Sequence, residues 1–232
     1  MSATPTIILV HGAWHGAWCW QRVIPLLTDR GLAVRTVDLP SVGAKPGSPV
    51  GLASDAAAVR AVIDDVTGPV MLCGHSYGGM VISQAASRNP RVTRLVYLCA
   101  FVPESGESLE GIGGGKPAPW IQMLDGGMTL PYPERTVELF YGDCDAATQS
   151  WAVHQVRPQA GAPFADPVPH PAWKDIPSTY IICANDGALP PEVQRNVFAP
   201  RTGQVLELAA SHSPFLSQPS ALAELLATQA RR

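Results

Sequence analysis

A short motif in the first half of the chain has the residue types and spacing of a serine nucleophile. Gly-His-Ser-Tyr-Gly at residues 74–78 matches the pattern G-x-S-x-G, and it follows an apolar run at residues 70–73. A strand before the motif and a helix after it are the context in which this pattern holds a serine on a tight turn above a sheet. Glycines suit the positions two before and two after the serine, because the backbone there approaches itself closely. The motif therefore predicts nucleophilic chemistry at Ser76.

A serine hydroxyl is a weak nucleophile at neutral pH, so a base must accept its proton and a third group must orient that base. His212 follows the last predicted strand, on a short loop before the C-terminal helix, which is where the base of such a site is expected. His75 is too close to Ser76 along the chain to reach its hydroxyl. The other four histidines precede Ser76 or lie in a proline-rich insertion: His11, His15, His154 and His170. His212 is the predicted base.

The acid of the triad is expected just beyond a strand, between the serine and the histidine along the chain. Asp186 has this position, because it follows the apolar run at residues 181–184 and precedes Gly187, which marks a loop. Asp38, which ends an earlier predicted strand, is the rival candidate. We expect Asp186 to be the acid, with a turn-forming aspartate as the alternative reading of the same position.

Attack on a carbonyl creates an oxyanion, which needs preorganised hydrogen-bond donors. One donor is expected to be the backbone N–H of Tyr77, which follows the nucleophile at the positive end of a helix. The second is expected from the loop after the first strand, and Ala13 is the candidate. His11 and His15 in that loop flank glycines, and no third residue has the spacing of a metal ligand. We therefore expect neither a metal site nor a cofactor.

Apolar periodicity predicts alternating strands and helices along most of the chain. Short apolar runs predict strands at residues 6–10, 33–38, 69–75, 94–100, 178–184 and 204–208, and helical spacing predicts helices at residues 20–27, 52–66, 77–88 and 219–229. Such alternation with short connections is typical of a mostly parallel sheet with helices on both faces. We predict a single α/β domain over residues 1–232.

Residues 103–177 break this alternation. They contain eleven of the 23 prolines and three of the six tryptophans. An insertion of this length inside a domain is usually functional, so we expect a small cap over the carboxyl edge of the sheet, where open α/β sheets bind ligands. An irregular surface excursion is the alternative. Candidate walls of an apolar pocket, each of which could instead be ordinary core packing, are Trp14, Trp120, Met123, Trp151 and Phe215.

Composition limits the other classes of function. The chain has 232 residues, a formal net charge of -3 and no cluster of Lys or Arg, so no nucleic-acid partner is expected. The N-terminal segment carries no positive charge and its apolar run is short, so neither a signal peptide nor a membrane span is expected. Five cysteines without a CxxC spacing favour reduced thiols and a cytoplasmic location. Composition says nothing about the oligomeric state.

Three segments together resemble a known family. Val-His-Gly-Ala-Trp-His-Gly-Ala-Trp-Cys-Trp at residues 10–20, Gly-His-Ser-Tyr-Gly-Gly-Met at 74–80 and Ser-His-Ser-Pro-Phe-Leu-Ser-Gln-Pro at 211–219 are similar to the plant methylesterase and hydroxynitrile lyase family and its bacterial relatives. The resemblance implies the α/β-hydrolase fold. It also implies the same functional residues as the positional argument: Ser76, Asp186, His212, Ala13 and Tyr77.

Two departures favour the esterase branch of that family. The lyases carry a threonine at the position of Gly12, and a lysine directly after the catalytic histidine, where this chain has Ser213. We therefore predict a serine esterase that acts on small to medium hydrophobic or aryl esters through an acyl-enzyme intermediate. A hydroxynitrile lyase, a C–C or lactone hydrolase, and a non-catalytic small-molecule receptor on the same fold remain as alternatives.

Overall fold

The computed structural model describes residues 4–232, so the first three residues of the predicted domain lie outside it. Its strands are β1 (Thr6–Val10), β2 (Val34–Val37), β3 (Val70–His75), β4 (Val92–Leu98), β5 (Ile121–Leu124), β6 (Met128–Pro131), β7 (Gln159–Ala160), β8 (Ser178–Cys183) and β9 (Gln204–Leu208). Six of them form a sheet in the order β2-β1-β3-β4-β8-β9. Every neighbouring pair in this sheet is parallel. The predicted α/β architecture is confirmed.

Helices connect and flank these strands. They are α1 (Ile24–Thr28), α2 (Leu52–Asp65), α3 (Gly78–Ala85), α4 (Leu109–Ile112), α5 (Pro133–Phe140), α6 (Ala146–Val153), α7 (Ala162–Ala165), α8 (Pro191–Val193), α9 (Pro214–Ser217) and α10 (Pro219–Ala230). Helix α2 packs against α3, and α1 packs against α10. No helix within residues 4–232 has both the length and the apolar character needed to cross a bilayer.

The central strands are apolar because both faces of the sheet are covered. All six residues of β3 and of β8 are buried, and so are the last four residues of β1. A parallel sheet covered on both sides selects such continuous apolar runs. This is why β1, β3 and β8 could be predicted from short apolar segments alone.

Some predicted boundaries were wrong for local reasons. The helix predicted at residues 20–27 is a 3₁₀ turn, Ala17–Trp20, followed by the short α1, with Pro25 in its first turn. Proline is tolerated there because the first N–H groups of a helix have no partner within it. Strand β4 ends before residue 100, since Cys99 has a positive φ of 35°. Arg88, also at positive φ, lies beyond the end of α3, which is shorter than predicted.

Strand order explains where a site can form. The chain runs from β1 to β2 at one edge and then returns to place β3 on the other side of β1. The loops after β1 and β3 therefore leave the sheet in opposite directions from adjacent strand ends. This topological switch point is the usual ligand position in open α/β sheets.

The insertion between β4 and β8 has secondary structure of its own. Strands β5, β6 and β7 form a small antiparallel sheet, and helices α4 to α7 surround it in sequence. The insertion also joins the rest of the chain: a β-bridge links Val42 to Gln159, and the N–H of Gly43 donates to the carbonyl of Pro158 at 2.8 Å. Residues 103–177 are thus not a structureless excursion.

Candidate active site

Ser76 lies on the turn between β3 and α3, at the switch point. Its φ is 52°, a left-handed conformation that is strained for a residue with a side chain. The turn is tight: a Cβ atom at Gly74 would lie 2.5 Å from the carbonyl oxygen of Gly78. The carbonyl of Ser76 accepts hydrogen bonds from Gly79 at 3.0 Å and from Phe101 at 3.2 Å, which holds the turn in place. Ser76 itself keeps partial exposure.

His212 and Asp186 meet at the carboxyl edge of the same sheet. Nδ1 of His212 donates to Oδ2 of Asp186 at 2.7 Å, and both side chains are buried. Because Nδ1 carries the proton, Nε2 has a free lone pair and is the nitrogen able to accept a proton. The pair therefore has the arrangement of a general base with an orienting carboxylate.

The loop of His212 packs against the elbow of Ser76. The rings of His75 and His212 are 4.6 Å apart, and Nε2–H of His75 donates to the carbonyl of His212 at 2.8 Å. Among residues 4–232, neither the Ser76 hydroxyl nor Nε2 of His212 makes a hydrogen bond. In free enzymes the contact between nucleophile and base is often long and tightens when substrate binds.

Asp186 is held by a set of donors that hydrogen-bond both of its oxygens. Oδ1 accepts the N–H groups of Ala188 and Leu189, each at 2.8 Å. Oδ2 accepts Nε2 of Gln194 at 2.9 Å in addition to His212. Hydrogen bonds to an ionised carboxylate favour the charged form and fix its direction. Asp38, the rival acid, is exposed and accepts the N–H of Ala17 at 2.7 Å instead.

The loop after β1 has its peptide groups fixed by two histidines. Nδ1–H of His11 donates to the carbonyl of Gly12 at 2.8 Å, and Nδ1–H of His15 donates to the carbonyl of Ala13 at 2.7 Å. In a trans peptide the N–H points opposite to the C=O, so the first bond also fixes the N–H of Ala13. Among residues 4–232, the N–H groups of Ala13 and Tyr77 make no hydrogen bond within the protein. Both are available to a ligand.

These two histidines are neutral. Nε2 of His11 accepts the N–H of Leu39 at 3.0 Å, and Nε2 of His15 accepts the hydroxyl of Tyr141 at 2.9 Å. Burial lowers the pKa of His11 to about 4 and that of His15 to about 3. Burial also lowers the pKa of His75. Each ring is thus a fixed donor and acceptor rather than a proton carrier at neutral pH.

Two of the five predicted pocket residues, Trp14 and Trp120, lie in one aromatic cluster. Trp14 and Trp120 are in edge contact, with ring centroids 5.7 Å apart, and Phe140 and Phe164 complete an aromatic cluster around them. This cluster adjoins His212, because the ring of Phe140 lies 5.6 Å from that of His212.

The other three predicted pocket residues lie elsewhere. Phe215 is fully buried beneath His75, with ring centroids 4.9 Å apart. Trp151 packs on Trp18, and Met123 is 59% exposed on β5. The structure does not bring Met123 or Trp151 into the aromatic cluster. Apolar character alone could not separate these cases, because which side chains meet depends on how the insertion packs against the rest of the chain. Phe140 and Phe164 were missed for the same reason.

One group of possible metal ligands exists within the described residues. Donor atoms of His75, Cys99 and His212 lie within 4.8 Å of one another. These residues already take part in other hydrogen bonds. His75 and the thiol of Cys99 both donate to the backbone carbonyl of His212, and the ring of His212 donates to Asp186. Burial also raises the pKa of Cys99, which disfavours the thiolate that metals bind. This donor set does not fit a resident metal.

Several supporting residues had no recognisable sequence signal. Gln194 bonds Asp186, and Asp143 of the insertion accepts both the N–H and the hydroxyl of Ser211, directly before His212. Tyr141, also in the insertion, fixes His15. These contacts join positions 8 to 126 residues apart, so no local motif reveals them.

Comparison with known proteins agrees with this fold. The sequence profile of the alpha/beta hydrolase family matches residues 7–225, and the chain belongs to that family. A carbendazim hydrolyzing esterase of Nocardioides sp. (strain SG-4G) is 31% identical over 244 residues, covering 95% of this chain and 97% of that protein.

Two solved structures extend the comparison. A pyrethroid hydrolase from Sphingobium faniae JZ-2 matches with a TM-score of 0.87 and 32% identity, covering 99% of this chain and 98% of that one. A methylesterase from Arabidopsis matches with a TM-score of 0.81 and 25% identity, covering 98% and 99%. The predicted resemblance to the methylesterase family is confirmed, and the chain is an ester hydrolase.

Proposed function

We propose that Ser76, His212 and Asp186 form the catalytic triad of a serine esterase. The observation that carries this proposal is the 2.7 Å bond from Nδ1 of His212 to Asp186, beside a strained serine elbow at the switch point of the sheet. The bond leaves Nε2 as the proton acceptor, which is the tautomer that a general base requires. The acid is Asp186 and not Asp38, whose carboxylate is bonded to Ala17.

The proposed cycle uses these side chains and two backbone donors. Ser76 attacks the ester carbonyl while His212 accepts its proton and Asp186 stabilises the imidazolium. The N–H groups of Ala13 and Tyr77 hold the oxyanion, and each such donor contributes about 3 to 4 kcal/mol to the transition state. His212 then protonates the departing alcohol. Water, activated by His212, attacks the acyl-enzyme and releases the acid.

We assign small to medium hydrophobic or aryl esters as substrates. The aromatic cluster of Trp14, Trp120, Phe140 and Phe164 places apolar rings next to His212. Three of these four side chains belong to the insertion, which supports the assignment of residues 103–177 as a cap that shapes the acyl or alcohol site. The relatives include a pyrethroid hydrolase and a carbendazim hydrolyzing esterase, which supports a small-molecule substrate for this chain.

The loop after β1 argues against the lyase alternative. A Cβ atom at Gly12 would lie 2.7 Å from Nδ1 of His75 and 2.9 Å from Cβ of Ser76. The threonine of the lyases would therefore displace the elbow unless the loop moved. Ser213, where the lyases carry lysine, is fully buried and offers no positive charge to a leaving cyanide.

Replacement of the nucleophile tests the proposal. Ser76→Ala should lower kcat for an aryl acetate by at least about 10⁴-fold, because no alkoxide can form. It should also abolish covalent labelling by a fluorophosphonate, while circular dichroism and Tm stay close to those of the wild type. An aryl, alkyl and lactone panel compared by kcat/KM defines the substrate class. A Ser76→Ala protein that keeps more than a few per cent of activity contradicts the assignment.

A cytoplasmic location is part of the same proposal. All five cysteines are free, and four of them are buried. Disulfides are rare in reducing compartments, which agrees with this pattern. Fractionation of the producing cells, with the protein recovered from the culture medium as the contrary result, tests the location.

A further inference from the structure

A buried carboxylate outside the proposed triad contacts one of the oxyanion residues. Asp55, in the first turn of α2, is 0% exposed. Its Oδ2 accepts the hydroxyl of Tyr77 at 2.7 Å and that of Ser41 at 2.6 Å, and its Oδ1 accepts the N–H of Ser41 at 3.0 Å. Burial raises the pKa of Asp55, and the hydrogen bonds from Ser41 and Tyr77 oppose that rise. A carboxylate kept in such a place needs all of these donors.

The hydrogen bonds continue from Ser41 to the other oxyanion loop. Nε2 of Gln159, in strand β7 of the insertion, donates to Oγ of Ser41 at 2.9 Å. Oε1 of the same amide accepts the N–H of Trp14 at 2.9 Å. Gln159 is fully buried, and its backbone carbonyl accepts a hydrogen bond from the hydroxyl of Thr129 at 3.1 Å.

In this series of hydrogen bonds, every donor points toward Asp55. Trp14 donates to Gln159, Gln159 to Ser41, and Ser41 to the carboxylate, which also accepts Tyr77. This common direction sets the orientation of the Gln159 amide, because Ser41 donates its only hydroxyl proton and can then only accept. Trp14 has a positive φ of 60°, a strained backbone conformation, and its N–H is the group that donates to Gln159.

We propose that Asp55, Ser41 and Gln159 form a buried relay that positions both oxyanion donors, Tyr77 and Ala13. On one side, the Tyr77 hydroxyl donates to Asp55. On the other side, the N–H of Trp14 donates to Gln159, and this bond fixes the peptide that directly follows Ala13. Its members do not touch the reacting atoms, so they are positioning residues. This inference rests on the proposed serine esterase function, because only an oxyanion gives the two N–H groups their role.

Two matched tyrosines provide the test. Tyr77→Phe removes one buried hydroxyl bond and leaves the backbone N–H in place. Tyr97→Phe removes a bond of similar length, to the neutral hydroxyl of Ser83 at 2.8 Å, from an equally buried tyrosine with no link to the relay. We expect kcat for an aryl acetate to fall about 10-fold or more in Tyr77→Phe and less than about 2-fold in Tyr97→Phe, since misaligned donors weaken only the transition state. KM should stay within about 2-fold in both.

An inhibitor separates positioning from general destabilisation. An aryl trifluoromethyl ketone adds to Ser76 and places an oxyanion between the two donors, so its Ki in Tyr77→Phe should rise by the same factor as kcat/KM falls. The Tm of Tyr77→Phe should fall further than that of Tyr97→Phe, because the buried carboxylate of Asp55 loses a donor, so the match between the change in Ki and the change in kcat/KM is the decisive measurement. Equal kcat losses in the two variants, or an unchanged Ki, would overturn the relay.

A second pair tests the glutamine that joins the insertion to the loop. Gln159→Leu removes the bonds to Ser41 and Trp14, whereas Gln122→Leu removes a bond that stays within the insertion, to the carbonyl of Pro131. We expect the loss of kcat only in Gln159→Leu, and equal losses in both overturn the proposal. If Gln159→Leu does not fold, the tyrosine pair decides alone. Wild-type protein without esterase activity or fluorophosphonate labelling would refute the proposed function, whereas an active wild type with an equally active Tyr77→Phe would refute the relay only.

Discussion

At the scale of single residues, the structure explains why one aspartate and not another suits the role of orienting acid. Asp186 accepts two backbone N–H groups on one oxygen, and a glutamine and the His212 ring on the other. Both oxygens are thus fixed before any substrate arrives, and little reorganisation is needed when the imidazolium forms. Asp38 has a single backbone donor and faces solvent.

An isosteric pair of variants measures this difference. Asp186→Asn should lower kcat about 10⁴-fold, because an amide cannot hold the ring of His212 in the Nδ1–H tautomer. Asp38→Asn, which keeps an oxygen for the N–H of Ala17, should stay within about 2-fold of the wild type. Steady-state kinetics with one aryl ester suffices. The reverse ranking would move the acid to Asp38.

The residues that sequence alone predicted are those with a local context. Ser76 stands in a motif, and His212 and Asp186 each follow a strand, so a few neighbouring residues indicate their positions. Asp55 and Gln159 gave no such signal, because they lie 22 and 145 residues from the groups they bond. Their role depends on how the insertion docks on the loops, and periodicity does not encode that.

At the scale of elements, the loop after β1 and the elbow after β3 are in such close contact that no methyl group fits between them at Gly12. Gly12 is the point of closest approach, since an added Cβ atom would meet both His75 and Ser76. The strand order makes these loops neighbours, because β1 and β3 are adjacent in the sheet. It could not predict the spacing between them, which is set by the side chains of His11 and His75.

A glycine pair tests this contact. Gly12→Ala should lower kcat/KM about 10²-fold, because the elbow and the N–H of Ala13 must shift apart to admit the methyl group. Gly203→Ala places its methyl group 3.5 Å from the nearest atom, an ordinary contact, and should leave kcat/KM unchanged. Comparable losses in the two variants would show that the loops do not depend on a close fit.

At the scale of the whole molecule, buried neutral histidines couple stability to pH. The pKa of His15 is lowered to about 3 and that of His11 to about 4, both by burial, from an ordinary value of 6.5. Between these values and 6.5 the unfolded chain binds more protons than the folded one, so the free energy of unfolding rises with pH. Stability is therefore lost as the pH falls below 6.5.

Replacement of one histidine should flatten this dependence. Wild-type protein should lose about 2 kcal/mol more stability than His15→Gln between pH 7 and pH 5, since each fully shifted histidine contributes about 1.4 kcal/mol per pH unit. His170→Gln, which replaces an exposed histidine, should follow the wild type. Urea unfolding at both pH values gives the comparison. Parallel curves for His15→Gln and the wild type would mean that His15 titrates normally.

The hydrogen bonds from the insertion to the loops of the candidate site have a consequence for protein engineering. Tyr141 supports His15, Asp143 supports the residue before His212, and Gln159 supports Trp14. A chimera that grafts the corresponding segment of a relative without these three side chains would lose these hydrogen bonds together with the native specificity. Grafts that retain the three side chains are the ones expected to keep turnover while changing substrate preference.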